Sequence, residues 1–156
     1  MKSINTAVIF SILCLLVACG GGGKTTVPKA QEAAETSVDI GTHVVHFSAQ
    51  STDQLPPAVA RAYGIVRSKN RAMLNVSIID SETDHSVTAQ LTVKTRNLTG
   101  QLKNVVMRKI TEQEAIYYIG ETPVANRETL IFDISVKPDG IDKPAELRFK
   151  RQFYSD

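Results

Sequence analysis

The densest chemistry in the chain lies between Asp53 and Asp80. The 26 intervening residues carry Arg61, Arg67, Lys69 and Arg71 and no acid, with Tyr63, Ser68 and Asn70 among them. Guanidinium groups present paired N–H donors that match carboxylate or phosphate oxygens. The stretch is therefore a candidate binding loop for an anion or polyanion: a lipopolysaccharide phosphate, a cell-wall carboxylate or an acidic partner surface. The plainer alternative is a solvated turn whose arginines pair with Glu112, Glu114 or Glu146, since exposed charge clusters contribute little. A secondary candidate is Glu114 with Tyr117 and Tyr118. The two tyrosines face opposite sides of a strand, so one at most joins any single site. Core tyrosines with satisfied hydroxyls are the alternative reading.

Other constellations lead away from catalysis. His43 and His46 are three apart in a strand, which puts them on opposite faces, and His85 has no partner at ligand spacing, so no metal site is expected. There is no G-x-S-x-G nucleophile motif. Asp133 alternates outward in its strand and reads as a solvent-facing or paired acid. Ala18 to Thr25 (ACGGGGKT) fits a relaxed phosphate-loop pattern, but the match straddles the expected cleavage site, its first residue is removed and no helix pattern follows, so no nucleotide site is assigned. Asn75 and Asn97 head glycosylation sequons and are read as strand and turn residues.

The clearest single residue is Cys19. Residues 1–18 have the parts of a secretory signal: Lys2, an apolar run from Ala7 to Val17, and the small-residue exit Leu16-Val17-Ala18. That run is shorter than the ~20 residues needed to cross a bilayer. A cysteine directly after Leu-Val-Ala resembles the lipobox of bacterial lipoproteins, which implies lipidation of Cys19 and cleavage before it. Several acyl chains, at about 0.8 kcal/mol per buried methylene, make a stable anchor. By the same resemblance to lipoproteins, the sorting pattern of enterobacterial members implies the outer membrane, because Gly20 stands where Asp would retain the protein inside. The expected location is the bacterial cell envelope, on the periplasmic side.

Removing the first 18 of 156 residues leaves 138, enough for one domain with a core. Lys2 is the charge lost, so the mature balance is 17 cations against 16 acids, which argues against general attraction to nucleic acid. Cys14 leaves with the signal and Cys19 carries lipid, so no cysteine remains for a disulfide, a thiolate metal site or a nucleophile. No cofactor is expected beyond the covalent lipid.

Elements must now position these residues. Residues 19–37 read as the lipidated cysteine and a flexible linker, and 38–156 as a single β-sandwich domain. A period of two appears in Thr42–Ala49, Arg71–Ile79, Ser86–Thr95, Leu102–Ile110, Ala115–Gly120, Thr129–Lys137 and Ala145–Tyr154. Leu55–Tyr63 breaks it: Pro56 and Pro57 suit a first helical turn, Leu55, Val59 and Ala62 fall on one face, and Gly64 ends the helix. Seven strands with short turns and one short helix predict an all-β, antiparallel, immunoglobulin-like sandwich, with a small closed barrel as the alternative.

The segments LPPAVARAYGIVRSKNRAMLNVS (55–77), NLTGQL (97–102), EAIYYIGE (114–121), ETLIFDISV (128–136) and LRFKRQFY (147–154) together resemble the bacterial domain-of-unknown-function family 4426 (DUF4426), whose members are secreted or lipid-anchored envelope proteins. The likeness covers residues 40–156 and implies a β domain in the envelope. The leading expectation is a non-enzymatic binding or assembly module, held to the membrane by its lipid and working through a protein or envelope component. Alternatives are a periplasmic inhibitor or immunity protein that blocks a toxin or hydrolase, with Arg67, Lys69 or Arg71 plugging an acidic active site, and an unrecognised hydrolase.

Overall fold

The computed structural model describes residues 36–156; the signal segment, Cys19 and the tether to residue 35 lie outside the described residues. Nine strands form: β1 (Ser37–Asp39), β2 (His43–Ser51), β3 (Arg71–Asp80), β4 (Ala89–Asn97), β5 (Leu102–Lys103), β6 (Arg108–Glu112), β7 (Ala115–Pro123), β8 (Thr129–Pro138) and β9 (Ala145–Gln152). One sheet has the order β1-β2-β3-β7-β6 and the other β5-β4-β8-β9, with every pairing antiparallel. The expected sandwich is present, and the two sheets do not close into a barrel.

Alternation sets the interior. Val45, Phe47 and Ala49 of β2, Ala72, Leu74, Val76 and Ile78 of β3, and Leu130, Phe132, Ile134 and Val136 of β8 all point between the sheets and are buried. Each fully buried aliphatic or aromatic side chain contributes about 1.5–3 kcal/mol. Phe149 ties the layers together, stacking on Phe132 at 4.8 Å and leaning on Phe47 of the opposite sheet at 4.7 Å. The Tyr118 hydroxyl donates to the Ala89 carbonyl at 3.0 Å and accepts from the Ala89 amide at 2.8 Å, a second link between the sheets. All of this core lies within one compact unit.

Three expectations about the strands need correction. Nine strands replace seven, partly because β1 is three residues long and too short to show a period. Leu102–Ile110 is not one strand: β5 belongs to one sheet and β6 to the other, and residues 104–107 carry the chain across. Ser86–Thr95 also divides. Ser86 bridges to Ile79 and the Val87 amide bonds the Ile78 carbonyl, so these residues extend the first sheet before β4 begins in the second.

The helix, α1 (Pro57–Ala62), starts after Pro56 and carries Pro57 in its first turn. Its end is a Schellman motif: the Gly64 amide bonds the Arg61 carbonyl, the Ile65 amide bonds the Ala60 carbonyl, and Gly64 takes φ +63°. The inward residue of α1 is Ala60; Val59 is partly exposed and Ala62 exposed, against the face expected from Leu55, Val59 and Ala62. Leu55 is buried but precedes the helix, so its position does not set the helical phase.

Candidate functional site

A half-buried sheet normally shows polar residues on its outer face. The outer face of the β1-β2-β3-β7-β6 sheet instead carries Met73, Ile110, Tyr117 and Ile119, and the chain covers part of them with the segment between β2 and β3. Leu55, Ala60 and Ile65 of that segment pack on Met73 and Ile119 as a second buried cluster, with Tyr63, Ile110 and Tyr117 at its margin. Six helical residues are too few to cover the whole apolar area. An open cleft of about 270 Å³ remains, with Val59 and Tyr63 on one wall, Ile110 and Glu112 on the other, and Ser48, Asn75 and Tyr117 on its floor.

Two polar features mark this cleft. Asn75 Oδ1 is buried and has no hydrogen-bond donor among the described residues. Register places Asn75 between Ser48 of β2 and Ile119 of β7, so its amide stands on the cleft floor. At the mouth, the Tyr63 hydroxyl donates to Glu112 Oε2 at 2.5 Å, tying the end of α1 to the edge strand β6. That hydrogen bond, then desolvation and the Glu112 charge, raise the Tyr63 pKa above its ordinary value, so the phenol stays protonated. Arg108 of β6 adds a second tie, donating to the Tyr63 carbonyl at 2.6 Å. Ser48 makes no hydrogen bond to a base among the described residues, and the Tyr63–Glu112 pair is a donor–acceptor lock. The chemistry on offer is recognition: an apolar surface with the Asn75 side-chain amide at its base.

The basic loop is drawn into the fold more than its sequence implies. Thr52 is fully buried and organises it, donating from Oγ1 to the Val66 carbonyl at 2.8 Å and accepting from the Ser68 amide at 2.9 Å. Ser68 Oγ in turn accepts the Asn70 amide. Arg67 donates to the Asp53 carbonyl at 2.5 Å, and Lys69 to the main-chain oxygen of Asp156 at 2.9 Å. Arg71 pairs with Glu121 at 3.7 Å, and Arg108 approaches the same carboxylate at 4.0 Å. The acid that meets Arg71 is therefore Glu121, diagonally across on β7 and opposite Met73, and not Glu112, Glu114 or Glu146. Arg61 is exposed on α1 and makes no ion pair among the described residues.

The secondary candidates separate. Tyr118 is buried in the sandwich, Tyr117 lies on the outer face at the cleft, and Glu114 is exposed in the β6–β7 turn. His43 is buried with its ring nitrogen 3.0 Å from Thr42 Oγ1, while His46 and His85 are exposed. No group of three or more potential metal ligands occurs among the described residues. Asp133 is a paired acid on the outer face of the other sheet, between Arg96 and Arg148.

Sequence reasoning missed the cleft because it assigned one buried face to each strand. The signal was available in β3 and β7, where RAMLNVSIID and AIYYIGETP carry apolar residues on both faces. Such two-sided patterning marks a strand covered from both sides.

Comparison with known proteins agrees with this architecture. The family described as Domain of unknown function (DUF4426) matches residues 37–156. No curated protein matches the chain. The crystal structure of a DUF4426 family protein from Pseudomonas aeruginosa PAO1 aligns with a TM-score of 0.66 and 31% sequence identity, covering 77% of this chain and 94% of that one. The chain belongs to the DUF4426 family.

Proposed function

We propose that this protein is a non-enzymatic binding module of the bacterial cell envelope, anchored through lipid on Cys19 to the periplasmic side of the outer membrane, and that it holds an extended segment of a partner protein in the cleft beside α1. The location rests on the order Leu16-Val17-Ala18-Cys19-Gly20. The binding site rests on one observation above all: an apolar cleft whose floor carries the buried, donor-free oxygen of Asn75. A ligand that fills it supplies an apolar side chain together with an N–H, which is what an extended peptide presents at each residue. Burial of apolar area would provide the affinity, and the Asn75 acceptor would fix orientation.

A small probe with that chemistry tests the reading. N-acetyl-leucine methylamide, titrated into isotope-labelled protein, is expected to shift the Asn75 side-chain amide and the methyl groups of Ile110 and Ile119. The same titration of Asn75→Leu should leave those methyls in place. Shifts confined to the basic loop, or none at the cleft, would refute it.

A further inference from the structure

The second surface of interest is the outer face of the β5-β4-β8-β9 sheet. Cross-strand register sets its outward residues in rows: Gln90 beside Lys137, Thr92 beside Ser135 and Glu146, Lys94 beside Asp133 and Arg148, and Arg96 beside Ile131 and Lys150. That is five cations against two acids, in a chain whose formal net charge is only +2. Asp133 is engaged by Arg96 and Arg148, and Glu146 accepts the Ser135 hydroxyl at 2.6 Å. Lys94, Lys137 and Lys150 make no ion pair among the described residues, and Lys94 and Lys150 are exposed.

We infer that this face docks on an anionic phospholipid bilayer. The inference rests on charge complementarity combined with the scarcity of apolar anchors on the face. Its outward strand positions hold half-buried Ile131 and, on the edge strand β5, the exposed Leu102 beside Arg96, and no aromatic. A protein–protein contact draws its energy from a cluster of desolvated aromatic and aliphatic anchors, and here a single exposed leucine, Leu102, stands at the sheet edge. A broad array of cations on a three-strand surface suits a fluid layer of headgroups, whose phosphates can rearrange under each lysine. Each cation near such a surface strengthens binding about five-fold. The inference does not depend on lipidation of Cys19 or on the cleft, because it concerns the charge of one sheet.

The test uses residues 36–156, which contain the whole core in one compact unit and carry no lipid. The domain is mixed with vesicles of equal parts phosphatidylcholine and phosphatidylglycerol, or of phosphatidylcholine alone, and sedimented at low and high salt. Binding is expected only to the anionic vesicles and only at low salt, where screening is weak. Lys94→Glu with Lys150→Glu should weaken it about 25-fold or more, with an unchanged thermal melt. Arg61→Glu with Lys69→Glu, at the loop end, should leave it intact. Equal binding to neutral vesicles, no binding at low salt, or loss in the loop variant instead of the sheet variant overturns the proposal. So does equally tight, equally lysine-dependent retention on soluble poly-glutamate, which would make the face a site for acidic proteins. Failure here leaves the lipid anchor and the cleft untouched, since neither enters the measurement.

Discussion

Asn75 shows how one side chain can cost stability and supply recognition. A buried carbonyl oxygen without a donor costs about 1–3 kcal/mol, so Asn75→Leu should raise the stability of the domain by about 1 kcal/mol in chemical denaturation while abolishing binding at the cleft. A loss of stability would mean that the amide is satisfied within the protein. Gly120 illustrates the opposite constraint. It lies on the inner face of β7, where a Cβ would stand 2.5 Å from Met107 Sδ, 2.6 Å from Val105 Cγ1 and 3.1 Å from the Val106 carbonyl. The strand-to-strand crossing at residues 104–107 fits because this position has no side chain. Gly120→Ala is expected to destabilise by about 1–3 kcal/mol through overpacking, and Met107→Ala in the same chain should recover part of that loss, both measurable by urea unfolding.

At the scale of elements, β2, β3, β8 and β9 were legible because one face of each is apolar over many residues, and period two survives every local irregularity. What could not be read was pairing. No spacing rule reveals that Glu121 lies diagonally across from Arg71, because that depends on the register of β3 against β7. The same holds for Thr52, whose hydroxyl shapes a loop 14 to 16 residues further along. The split of Leu102–Ile110 was hidden because Val105, Val106 and Met107 keep the stretch apolar through the crossing. The α1 segment was legible in kind, from Pro57 and Gly64, but its buried face was not, since a two-turn helix gives little phase information. The candidate basic loop was found by composition. Its internal commitments emerged only once Asp53, Glu121 and Asp156 had positions in space.

The whole molecule has two outer faces of different character. One holds the cleft, and the other holds the lysine rows. If the lysine face rests on the bilayer, the cleft points away from it, toward a partner in the periplasm. Acid should unfold the sandwich by a defined route. The Arg148 and Arg96 hydrogen bonds outweigh desolvation and hold Asp133 below the ordinary carboxylate range. Partial burial pushes Glu128 up, but Lys103, the Ala125 amide and Asn97 together lower it on balance. The Thr83 amide and hydroxyl lower Asp80. Carboxylates lowered in the folded state stabilise it above their unfolded pKa, about 4, and that contribution is lost as pH falls through the folded values. Thermal melts should therefore be level from neutral pH to about 5 and fall below about 4. Glu128→Gln should lower stability at neutral pH and flatten part of that fall.

The central claim is that the cleft beside α1 is the surface that meets a partner. Its most direct test is site-specific photocrosslinking in intact cells, with a photoreactive side chain at Val59 on the cleft wall, Arg61 on the exposed side of α1, or Thr92 on the opposite sheet. A discrete adduct from Val59, absent from the other two positions and lost in Asn75→Leu, is the predicted result. Adducts from Arg61 or Thr92 with none from Val59 would contradict the account and move the working surface to the basic loop or the lysine face.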